Sequence, residues 1–159
     1  MDEAEARRRL DETGAAIIAG VERCLPTWAE RQVDRILDAW GRLAAADRRR
    51  VAHEARAAGL AAATRIAGEL NTLLASAPED QRATPLEIVR TAVREPTAVL
   101  AAAGVPHVVR DGFDERAWPG DVYGLVPRTL GDLGDAELAP LQLAWGLAKA
   151  AVIRGRDRA

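Results

Sequence analysis

The sequence is short of the side chains from which most chemistry is built. Its 159 residues include one cysteine (Cys24), one serine (Ser76), one lysine (Lys149), one each of Met, Phe and Tyr, and two histidines, His53 and His107. One cysteine excludes an internal disulfide and cannot by itself hold zinc. With so little serine and no histidine near Cys24 in sequence, no set of nucleophile, base and orienting group is legible, so no residue is assigned as catalytic. The glycines fall into neither the G-x-G-x-x-G nor the P-loop spacing, and no βαβ pattern precedes them. No apolar run reaches the roughly 18 residues of a membrane span. The opening MDEAEARRRLDE has no apolar h-region of a signal peptide. These absences lead to the expectation of a cytoplasmic chain with no cofactor, no metal and no membrane association.

What is present is alanine, 34 residues of it, within an apolar share of 48%. Alanine is the best helix former and fills little volume. Close-packed helices are therefore expected, with four tryptophans and the branched aliphatics supplying most of the burial energy. Net charge is −2, which gives no global field toward nucleic acid or anionic membrane.

Hydrophobic spacing divides the chain into about five helices in a single domain over 1–159, with residues 1–9 free to fray and 155–159 a polar tail. Leu10, Gly14, Ile17, Val21 and Cys24 share one face of a first helix. Pro26 predicts its end, and Thr27-Trp-Ala-Glu30 reads as a capping box that starts a second. Asp47 is the expected N-cap of a third helix, Arg48–Ser76, about 43 Å long and the longest element. Its inner stripe is Ala52, Ala55, Gly59, Ala62, Ile66, Leu70 and Leu73. Gly59 and Gly68 each cost about 1 kcal/mol relative to Ala in a helix, so a close neighbour is expected at both. Residues 77–83 read as a polar linker, Thr84-Pro-Leu-Glu87 as a second capping box, and Pro96 as a kink.

The last helix, opened by Asp135-Ala-Glu137, is apolar nearly all round and is expected to be central, with Trp145 at the middle of the core. Leu138, Leu141, Ala148 and Val152 share the Trp145 face. Leu143, Leu147 and Ala150 form a second face that needs a cover of its own, from the irregular segment or from another subunit. The fold class is thus all-α: an irregular bundle around an apolar C-terminal helix, with a long irregular segment, 104–134, packed on it.

That segment holds Phe113, Trp118 and Tyr123 beside Arg116, Asp121 and Arg128. Trp118-Pro-Gly-Asp121 fits a type II turn. Aromatic rings with arginine are the composition of interface hot spots, so these six residues are the candidate binding site. The functional expectation is a non-enzymatic helical interaction module, an adaptor, regulator or homodimer. One alternative is a small enzyme or ligand-binding domain with a pocket between 105–128 and the last helix. His107, Asp111, Asp114 and Glu115 lie close enough in sequence to consider for a metal, with His53-Glu54 as further donors, and Asp114, Glu115 and Asp121 beside Trp118 and Tyr123 for proton transfer, but neither set completes a site. A second alternative is a nucleic-acid binder using Arg49, His53 and Arg56. Acids beside the Arg triplets 7–9 and 48–50, and the lack of aromatic platforms, oppose it.

Overall fold

In the computed structural model the described residues are 1–40, 45–92 and 127–158, with the side chains of 32–33, 35–40, 45–47 and 92 excepted. Helix α1 spans Glu3–Trp40, α2 Ala45–Ala75, α3 Pro85–Ala92 and α4 Leu138–Arg156, and a 3-10 turn occupies Leu130–Leu133. The described residues form an all-α, irregular helical bundle without strands. The aromatic segment before the 3-10 turn lies outside them.

The helical stripes follow the spacing of the apolar residues. Leu10, Ile17 and Val21 on α1 are buried with Ala55, Ile66 and Leu70 on α2 and with Leu138, Trp145 and Val152 on α4. Fully burying such a side chain contributes roughly 1.5–3 kcal/mol, so these layers supply most of the gain.

Pro26 is where local pattern and structure part. Instead of ending a helix it lies inside α1, which at 38 residues is longer than α2 at 31. An interior proline removes one backbone hydrogen bond and costs about 3 kcal/mol. Here Cys24, Leu25, Trp28 and Ala29 are all buried around it, so packing against α2 offsets that cost. The expected capping box is used sideways instead: Arg56 of α2 donates to Thr27 Oγ1 at 3.1 Å and to Glu30 Oε2 at 3.2 Å. Asp47 likewise falls inside α2, which begins at Ala45, rather than capping it.

Gly59 faces the backbone of α1 directly. A methyl group there would lie 2.8 Å from Ala29 Cβ and 2.9 Å from Pro26 Cα. Gly68 has no neighbour within 4 Å of that position, so the close contact expected there is absent. Gly20 performs the same service toward α4, with Leu138 seated against its bare backbone.

Among the described residues the helix at the centre is α1, not the C-terminal one. It packs along both α2 and α4, whereas α2 and α4 scarcely meet each other. Trp145 is nevertheless 1% exposed, as its place on the inner stripe of α4 requires. Among the described residues α4 meets α1 along one side and the 3-10 turn near its start, and its other apolar face is outward.

The second capping box forms as the sequence predicts. The Thr84 backbone N–H donates to Glu87 Oε2 at 2.6 Å, and the Glu87 N–H donates to Thr84 Oγ1 at 3.2 Å. These bonds from the Thr84 backbone and hydroxyl hold the Glu87 carboxyl below its ordinary range.

Candidate functional site

The outward face of α4 carries two of the exposed large apolar side chains among the described residues. Leu143 is 66% exposed and Leu147 61%. Both lie away from the buried line Leu138, Trp145, Ala148 and Val152, and Ala139, Ala144 and Gly146 beside them are exposed too. Scattered exposed leucines such as Leu60 are ordinary. Two leucines one turn apart on a helix of small residues form a continuous ridge.

Hollows flank this ridge on both sides. One, of about 420 Å³, lies between α4 and the segment leading into it, where Leu86, Thr129 and Leu130 face Leu143, Gly146 and Leu147. The other, of about 220 Å³, lies between α4 and the start of α1, with Arg9, Glu12 and Thr13 opposite Ala144 and Leu147. Leu147 therefore borders both. Apart from Thr129, the polar side chain in the larger hollow is Gln142, whose Oε1 is buried and accepts no hydrogen bond among the described residues.

Polar contacts fix the backbone that shapes this surface. Gln81, in the stretch read as a polar linker, is 6% exposed. Its Nε2 donates to the carbonyls of Leu73 at 3.0 Å and Ser76 at 3.3 Å, closing the C-terminus of α2. Its own carbonyl accepts from Lys149 Nζ at 2.6 Å, and that ammonium stands 5.2 Å from the Trp145 ring centroid. One glutamine thus ties α2 to α4. At one end of α4, Arg156 pairs with Glu3 and Glu79; at the other, Arg23 of α1 pairs with Asp135. The ridge is consequently held at both ends against α1.

Of the six candidate binding residues, Arg128 is exposed and precedes Thr129 of the larger hollow, its backbone N–H donating to Asp132 Oδ2 at 2.9 Å. Phe113, Arg116, Trp118, Asp121 and Tyr123 lie outside the described residues, as do His107, Asp111, Asp114 and Glu115. Gln81 was missed in sequence because a polar residue in a polar stretch carries no period to mark it. The Leu143/Leu147 face was legible from spacing alone.

The other sequence candidates reduce to local pairings. His53 is exposed; Glu54 pairs with Arg50 at 2.7 Å; Arg56 is engaged with Glu30. Burial pushes the Cys24 thiol up, away from the thiolate a nucleophile needs. Among the described residues no three or more of His, Cys, Asp and Glu group closely enough to hold a metal ion, and no helix is long and apolar enough to cross a membrane. Compared with known proteins, the chain matches no family model, no curated protein and no solved structure.

Proposed function

We propose that the protein is a non-enzymatic helical interaction module whose contact surface is the outward ridge of α4 together with the aromatic stretch that precedes it in sequence. The observation that carries the reading is the exposure of Leu143 and Leu147 between two hollows, on a helix otherwise buried by its opposite face. Removing two leucines from water is worth about 25 cal/mol for each Å² covered, and a ridge between hollows is the shape a partner helix or loop can clasp. Phe113, Trp118 and Tyr123, with Arg116, Asp121 and Arg128, supply aromatic and arginine anchors of the kind that dominate binding energy.

A ligand-binding reading draws on the volume of the larger hollow, which falls within the roughly 300–1,000 Å³ of small-molecule pockets. Its walls are aliphatic, with Thr129 and Gln142 as the polar groups, which suits apolar side chains of a partner better than a charged substrate.

Affinity capture from lysate of the source cells, with wild type, Trp118→Ala and Leu143→Arg/Leu147→Arg compared side by side, tests the module reading. A stoichiometric polypeptide retained by wild type and lost from both variants at unchanged melting temperature is the expected result. Equal retention by all three contradicts it, and so does retention of nothing by a wild type that is also monomeric at about 300 µM.

A further inference from the structure

We infer that the partner seated on the α4 ridge is a second copy of the same chain, bound with its own α4 antiparallel to the first. This rests on the module reading and names the occupant. The surface is self-complementary in shape. Leu143 and Leu147 stand up as a ridge, and the larger hollow beside them is walled by Leu86, Leu130 and the bare backbone at Gly146. A two-fold axis perpendicular to α4 near Trp145 sets Leu143 of each copy against Leu147 of the other, so each ridge enters the other's hollow. That is the isologous arrangement in which one patch serves both subunits. Exposed Ala139 and Ala144 and the open space at Gly146 let the two helices approach closely.

Charge chooses the direction. The stretch leading into α4 carries exposed Arg128, Asp132 and Glu137, a net negative end, and the far end carries exposed Arg154, Arg156, Asp157 and Arg158, a net positive one. Arg154 lies on the leucine stripe, eleven residues after Leu143 and seven after Leu147, and neither it nor Glu137 makes an ion pair among the described residues. Antiparallel packing brings Arg154 of one copy beside Glu137 of the other, twice by symmetry, and aligns the helix dipoles favourably. Parallel packing would set Arg154 against Arg154. A face of about three helical turns covers less than the roughly 1,200 Å² of a standard interface, so the dimer is weak and concentration-dependent.

Sedimentation equilibrium of the full chain, from about 1 to about 300 µM, reads the monomer–dimer constant directly. The expected result is reversible dimerisation, weakened at least tenfold by Leu143→Arg. Glu137→Arg and Arg154→Glu, both at exposed positions, should each weaken it roughly threefold, and the double reversal should restore it, because each exposed pair is worth only a fraction of a kcal/mol and occurs twice. A monomer at every concentration overturns the inference, and so does a dimer indifferent to Leu143→Arg. A dimer in which the double reversal is worse than either single change overturns the antiparallel arrangement. If wild type is monomeric yet loses a captured polypeptide on Leu143→Arg/Leu147→Arg substitution, the module reading stands and the second copy is not its partner.

Discussion

A methyl group on Gly59 would lie 2.9 Å from the α-carbon of Pro26, so the residue that should break α1 and the residue that should weaken α2 are packed against each other. Each is locally unfavourable in a helix, and together they let two backbones meet where Trp28 and Ala29 are buried. Gly59→Ala should therefore destabilise by about 1–3 kcal/mol, since overpacking outweighs the roughly 1 kcal/mol of helix propensity gained. Gly68→Ala, with nothing near it, should stabilise by about 0.5–1 kcal/mol. Urea titration of the two variants checks this; a gain from both would mean the α1–α2 crossing is looser than described.

Trp145 is 1% exposed, while its Nε1 donates to nothing among the described residues. Trp145→Ala should cost about 3–5 kcal/mol through lost packing. Trp145→Phe should cost distinctly less, because no hydrogen bond disappears with the indole. Equal losses in chemical denaturation would point to a partner for the indole nitrogen.

The capping box at α3 predicts a pH dependence of definite sign. The Glu87 carboxyl is held below its ordinary value of 4.5 by bonds from Thr84. A carboxylate depressed in the folded state contributes stability that is present above its unfolded pKa and lost as pH falls through the folded one. Wild type should thus lose stability faster than Glu87→Gln on titration below about pH 4.5, the two curves converging in acid. Parallel curves from pH 6 to pH 2 would show that the box contributes nothing measurable.

Sequence periodicity was a sound guide wherever a residue's fate depends on its own helix. The stripes of α1 and α2, the Thr84–Glu87 box and the buried Trp145 face all follow from spacing. It failed at Pro26, Thr27 and Asp47, where tertiary contacts override a local signal: the proline is held by buried neighbours, and the supposed cap residue is bound by Arg56 from another helix. The rank of the helices was equally hidden. Among the described residues α1, at 38 residues twice the length of the 19-residue α4, is the central one, and its Gly14 and Gly20 admit Leu74 of α2 on one side and Leu138 of α4 on the other. Gly59 and Gly68 look alike in sequence and differ only in what stands opposite. Of the candidate site, the leucine face could be read from spacing, whereas the hollows beside it depend on where Thr129, Leu130 and Leu86 converge.

Thermal unfolding of Leu143→Arg/Leu147→Arg, followed at about 1 µM where a weak dimer is dissociated, tests most directly whether this face is free for a partner. Substitutions on an unpacked helix surface change stability by no more than about 0.5 kcal/mol, and arginine is as good a helix former as leucine. The melting temperature should therefore stay within about 3 °C of wild type. A fall of more than about 10 °C would mean that the chain itself covers Leu143 and Leu147, and that the ridge of α4 belongs to its core rather than to an interface.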